Sequence, residues 1–197
     1  RTVAHLESYI GLVEAGVGLL PAGGGLKELA TRASKHATGG DVFAELKKVF
    51  ETIAMAKVST SALNAKELGL LRADDKIVFH AHELLHIAKA EARALAEAGY
   101  RPPLPAHRIA VAGDVGIATF KMLLVNMLEG RFISPYDNEI AERIATIMCG
   151  GKLDRGAWVD EEWLLTLERT HFVTLAQQEK TQARIAHMLK TGKPLRN

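Results

Sequence analysis

The ten residues from Gly16 to Gly25, GVGLLPAGGG, hold five glycines and a proline. No helix or strand runs through such a segment, because glycine loses the most backbone freedom on ordering and proline lacks a backbone donor. The chain must turn here, and the residues on its two sides belong to separate elements. Upstream, TVAHLESYIGLV (residues 2–13) shows β-branched residues and short alternation, and reads as the one strand territory in the chain. Downstream, LKELATRAS places Leu26, Leu29 and Ala30 on one side of a helix. Glu14 stands in the apolar stretch at the edge of the turn.

The remainder is helical in pattern. DVFAELKKVFETIAMA carries Asp41 as N-cap with Phe43, Leu46 and Ile53 at helical spacing. SALNAKELG is a short helix stopped by Gly69. From about Asp75 to Ala98 a long amphipathic helix is expected, with Ile77, Ala81, Leu84, Ala88, Ala92 and Leu95 on one stripe. The stiff connector YRPPLP (residues 100–105) succeeds it. Beyond, GIATFKMLLVNMLEG reads as a largely buried helix. Ser134-Pro135-Tyr136-Asp137 gives an N-cap with proline at the first helical position of a helix that ends at Gly150-Gly151. A last segment, capped by Asp160, is expected to bury Trp163, Leu164 and Leu167 and to break near Thr181. The fold class implied is α+β, predominantly α, with a few short N-terminal strands and a helical tail; the connector divides residues 1–99 from 100–197.

With 48% hydrophobic residues, 197 residues suffice to bury a sizeable core. Twenty-five basic and 23 acidic residues leave a charge of +2 with no basic run, which points away from nucleic acid. The lone Cys149 forms neither an internal disulfide nor a cysteine-based zinc site. No apolar run reaches the roughly 18 residues of a membrane span, and no signal-peptide pattern is present, so a cytoplasmic location is expected. The chain opens at Arg1 and is apolar by Val3, so a longer natural protein is expected.

His82-Glu83-Leu84-Leu85-His86 matches H-E-x-x-H, in which two histidines one helical turn apart bind zinc and the glutamate serves as base. On a helix spanning 75–98 both histidines face away from the apolar stripe, beside Lys89 and Arg93, whose charges oppose a bound cation. Lys89 and Ala92 stand where the extended motif has glycine and a third histidine. Glu91, Glu97 or a distant residue remains open as third ligand. The reading favoured here is a solvated helix face with no metal, and a zinc hydrolase is the alternative.

The glycine turn is not a phosphate cradle. Pro21 occupies the third position of G-x-G-x-x-G after Gly16 and Gly18, and Gly24 comes after Gly18 to Gly23 where a P-loop has lysine. Two readings remain: a tight crossover with Glu14 exposed, or a ligand-facing turn in which glycines permit close backbone approach. A carboxylate held among apolar side chains has its charged form disfavoured, which suits acid/base work.

The stretch IGLVEAGVGLLPAGGG resembles the second catalytic motif of the crotonase (enoyl-CoA hydratase/isomerase) superfamily. Glu14, Gly18, Pro21, Gly24 and Gly25 stand where that family has its own residues, with Val13 in place of the usual proline. STSALNAKELGLL (residues 59–71) resembles a later element, with Asn64 in a glutamate position. The connector, SPYDNEIAERIA and the ending QEKTQARIAHMLKTGKPLRN look most like the hydratase-like C-terminal region of bacterial 3-hydroxyacyl-CoA dehydrogenases of fatty-acid β-oxidation. The resemblance implies the C-terminal part of a crotonase-like fold acting on an acyl-CoA thioester. Glu14 would be one of two acid/base carboxylates, with Pro21 and Gly24 beside the substrate. Lys190 and Lys193 would lie near the CoA phosphates, although MLKTGKP departs from the usual basic pattern. The partner carboxylate, the oxyanion donors and the NAD-binding module belong to upstream sequence. The chain alone is therefore expected to be inactive and to need the upstream polypeptide as its partner; self-association is open, as is a non-catalytic scaffolding role.

Overall fold

The computed structural model describes all 197 residues, Arg1 to Asn197. Eight α-helices dominate: α1 (Gly25–His36), α2 (Val42–Ala54), α3 (Ala62–Glu67), α4 (Leu84–Glu97), α5 (Gly113–Glu129), α6 (Pro135–Met148), α7 (Glu161–Ala176) and α8 (Glu179–Thr191). Four short strands accompany them: β1 (Val3–His5), β2 (Lys76–Val78), β3 (Ile109–Ala110) and β4 (Trp158–Val159). The chain is thus mostly helical with a few short strands, as its periodicity implies. It forms two compact units, one from residues 1–11 and 58–104, the other from residues 12–57 and 105–197. One division between the units falls within the proline-rich connector, between Leu104 and Pro105, and the others fall at residues 11–12 and 57–58.

In the first unit β1 and β2 pair in parallel, with Val3 opposite Lys76, Ala4 opposite Ile77 and His5 opposite Val78. This corrects the helix expected over 75–98. Lys76-Ile77-Val78 satisfies its backbone groups against β1 instead of within a helix, because β-branched residues suit a strand and a partner is at hand. Asp75 sets the corner. Its Oδ1 accepts from the Thr2 amide at 2.7 Å and its Oδ2 from the Arg72 amide at 2.8 Å. Burial pushes the Asp75 carboxyl up, and the two amides outweigh that and leave it below its ordinary value.

A helix begins only at Leu84, after a 3₁₀ turn over Ala81–Glu83. Its inward stripe is Leu84, Ile87, Ala88, Glu91 and Leu95, all half-buried, while Ala92 is exposed. Glu91 sits in that stripe paired to Arg1 at 2.9 Å and to Lys76. The core here is small: Ala4, Ala62, Ala65 and Leu71, with Ile10, Leu70 and Ile77 packed against them.

The second unit has the larger core. Helix α1 packs on α2, α6 and α7, and α5 packs on α6. Phe120 of α5 is fully buried, stacked on Phe50 with centroids 4.1 Å apart and tilted against Phe43 at 4.7 Å. The expected caps hold for three helices. Asp41 accepts from Ala44 N–H, Asp160 accepts from Trp163 N–H, and Ser134 with Asp137 forms a capping box at α6.

Other expectations need correction. Helix α5 is half-covered: Ile117, Phe120 and Leu124 are buried, whereas Val115, Met122 and Val125 are exposed. Trp163 is 45% exposed, its indole N–H donating to the Gly150 carbonyl. Strands β3 and β4 pair antiparallel, Ile109 opposite Val159; at two residues each they are too short to show alternation. The break between the last helices falls at Gln177–Gln178, and Thr181 lies inside α8. Phe120→Ala should lower unfolding free energy by about 3–5 kcal/mol, since both ring neighbours lose their partner. Urea unfolding measures this.

Candidate functional site

Residues 12–25 leave the first unit and enter the second as a short 3₁₀ turn, Glu14–Val17, and then the loop into α1. The expected strand thus ends early: within 2–13, β1 covers Val3–His5 and a single bridge joins Gly11 to Val58. Gly18 closes the turn with φ +86°, and Leu19 N–H returns to the Glu14 carbonyl at 3.0 Å. A positive φ is cheap for glycine alone, which explains the residue. Glu14 is half-buried. Its Oε2 is buried and has no hydrogen-bond partner in the chain. A buried carboxylate oxygen without a partner is uncommon, because leaving it unsatisfied costs on the order of 1–3 kcal/mol or more. Such an oxygen has free lone pairs with which to accept a proton.

The turn is framed by α6 and α8. Arg184, with no exposed surface, donates to Asp137 Oδ1 at 2.7 Å, to Asn197 Oδ1 at 2.8 Å and more distantly to the Ala15 carbonyl at 3.4 Å. Asp137 also accepts from Arg196 at 2.8 Å and from the Ser134 amide at 3.0 Å. Burial alone pushes the Asp137 carboxyl up, and Arg184 with the Ser134 amide brings it below its ordinary value. Thr181 and Tyr136 complete the frame around Gly18.

The glycines at the end of the loop serve the start of α1. Gly24 is its N-cap, at φ +90°. The Gly24 amide donates to Glu168 Oε2 at 2.9 Å and the Lys27 amide to Oε1 at 2.7 Å. Glu168, fully buried on α7, thus places a carboxylate on the N-terminus of α1, where exposed amides and the helix dipole favour negative charge. Burial raises the Glu168 carboxyl above its ordinary value despite those bonds. An anion of the chain itself already holds these donors, so this helix start does not fit a dinucleotide phosphate.

The residues expected to form a site are only partly assembled. Glu14, Pro21 and Gly24 lie along one loop, with Pro21 buried and the Gly24 amide committed to Glu168. Lys190 and Lys193 are exposed at the far end of α8 and make no bond to the loop; the Lys193 amide donates to Thr191. Asn64 serves its own helix: its amide donates to Ser61 Oγ and its Oδ1 accepts from Thr60 N–H.

The histidine motif loses its geometry. His82 lies in the 3₁₀ turn and His86 in α4, Glu91 and Glu97 are paired with basic residues, and no group of three His, Cys, Asp or Glu is placed to hold a metal ion. Cys149 is buried, which pushes its thiol up to about 12. The sequence reading missed Glu168, Thr181 and Arg184. Each acts across more than 140 residues, so no local spacing marks it.

No known protein-family model matches the chain. A curated protein of Bacillus subtilis (strain 168), described as a probable 3-hydroxyacyl-CoA dehydrogenase, is 44% identical over 197 residues. The match takes in 100% of this chain, which spans 25% of that protein's length. No helix is long and apolar enough to cross a membrane.

Glu168→Ala should destabilise the second unit by about 1–3 kcal/mol by leaving two amides unpaired. The raised carboxyl also makes a pH prediction. Its folded value lies above the unfolded 4.5, so its favourable contribution is complete below 4.5 and is lost as pH rises through the folded value. Relative to Glu168→Gln, the wild type should gain stability on acidification across that window, read from urea midpoints at several pH values.

Proposed function

We propose that the chain is the C-terminal part of a crotonase-like domain within a cytoplasmic 3-hydroxyacyl-CoA dehydrogenase/enoyl-CoA hydratase of fatty-acid β-oxidation. In this reading residues 1–99 complete the crotonase-like core and residues 100–197 form a helical extension. The observation that carries it is the unpartnered, buried Oε2 of Glu14 on a turn of the crotonase pattern. The description of the Bacillus protein supports the dehydrogenase side of the assignment.

The chemistry is hydration of an α,β-unsaturated thioester. Water oxygen bonds to the β-carbon, a water proton is taken by one carboxylate, and a proton reaches the α-carbon from another. Glu14 takes one of these roles through its free oxygen. The second carboxylate, and the backbone N–H groups that hold the thioester enolate, come from the upstream polypeptide. NAD belongs to a dehydrogenase module outside this chain.

A second reading, a crotonase-like scaffold without catalysis, is favoured by the apolar side chains exposed on the first unit, Tyr9, Phe79, Leu85 and Leu104 among them. Two measurements separate the readings. In the full-length protein, Glu14→Gln should reduce enoyl-CoA hydration roughly 10²-fold or more; an unchanged rate leaves the scaffold. The 197-residue chain assayed alone should not hydrate a short enoyl-CoA, and Glu14-dependent turnover by it would show that the catalytic set is complete within it.

A further inference from the structure

Thr181 is the point at which α8 grips the Glu14 turn. Its Oγ1 donates to the Gly18 carbonyl at 2.6 Å, across 163 positions of sequence. A carbonyl only accepts, so the Thr181 proton is committed to Gly18. The 2.6 Å contact between Tyr136 Oη and Thr181 Oγ1 must then take its proton from Tyr136. The result is a one-way relay from Tyr136 through Thr181 to Gly18, with Thr181 fully buried and Tyr136 nearly so. Each member is satisfied by the next, and no water is needed to complete it.

The fit around the relay has no slack. A Cβ at Gly18 would lie 2.9 Å from Thr181 Oγ1 and 3.1 Å from Arg184 Cδ. Arg184 also reaches the Ala15 carbonyl. Both ends of the turn that begins with Glu14 are therefore referenced to α8, while the Glu14 carboxylate itself makes no bond through Oε2 that could hold it. Its orientation is inherited from its backbone.

We infer that Thr181 is a positioning residue for Glu14, with Tyr136 fixing the Thr181 hydroxyl. The assignment rests on the acid/base reading of Glu14. Thr181→Val keeps the shape but removes the hydroxyl, leaving the Tyr136 hydroxyl and the Gly18 carbonyl facing an apolar group. The turn then relaxes away from α8, and an error of about an ångström in a catalytic group can cost on the order of 10² in rate.

The test uses the full-length protein hydrating a short enoyl-CoA, with Glu14→Gln, Thr181→Val, Thr181→Ser and Tyr136→Phe compared for kcat, KM and thermal midpoint. Thr181→Val should lower kcat roughly 10- to 100-fold with KM within about two-fold. Thr181→Ser, which keeps the hydroxyl, should recover most of that loss, and Tyr136→Phe should fall between. If Thr181→Val does not fold, Tyr136→Phe and Thr181→Ser carry the comparison. Wild-type kcat in Thr181→Val or in Tyr136→Phe, with turnover still lost in Glu14→Gln, overturns the positioning role and leaves the Glu14 reading intact. A kcat loss in Thr181→Val that serine does not recover overturns it as well. Absence of any Glu14-dependent hydration overturns both.

Discussion

A guanidinium with no exposed surface is held at the centre of the second unit. Arg184 is stable there because Asp137 faces it at 2.7 Å and neighbouring oxygens take its remaining donors. A buried ion pair contributes little net stability, because desolvation offsets its attraction, but it admits few arrangements. In this chain it joins the capping box of α6, the body of α8, the Glu14 turn and the final residues around Asn197. Tyr136 adds its ring 5.1 Å from the guanidinium. Through Arg184 the Ala15 carbonyl of the turn is tied to both α6 and α8.

The second unit holds two buried carboxylates that titrate in opposite senses. Asp137 answers a buried cation, so its contribution is present above the unfolded value of 3.8 and fades on acidification. Glu168 answers backbone amides and the nearby Lys27 charge, which together compensate burial incompletely, and its contribution fades as pH rises. The two windows do not overlap: that of Asp137 lies below 3.8 and that of Glu168 above 4.5. The placement follows the same electrostatics: the buried guanidinium is paired with Asp137, and the N-terminus of α1 with Glu168.

Local signals carried most of the helical architecture. Asp41, Ser134 with Pro135, and Asp160 each announced a helix start, and each is observed capping. The failures have a common cause. Ile77 fits a helical stripe as well as a strand, and only β1, more than 70 residues away, decides between them. The length of the last segment implies a break near Thr181; it falls a few residues earlier, which leaves Thr181 in the first turn of α8 to hold Gly18. Glu14 was legible as a carboxylate at the edge of a turn. That its Oε2 lacks an internal partner, and that the Gly24 amide is taken by Glu168, depended on α7 and α8 and could not be read from spacing.

The path of the chain has its own consequence. It visits the first unit, passes into the second, returns, and ends in the second, so each unit is closed by sequence far apart. Contacts of such wide separation carry a loop-closure cost and form late in folding. During synthesis the Glu14 turn emerges ahead of Thr181 and Arg184, which set it from 163 and 169 positions further along the chain. A nascent or C-terminally clipped chain therefore carries Glu14 without the frame that aims it. The carboxylate is synthesised well before the residues that order its turn.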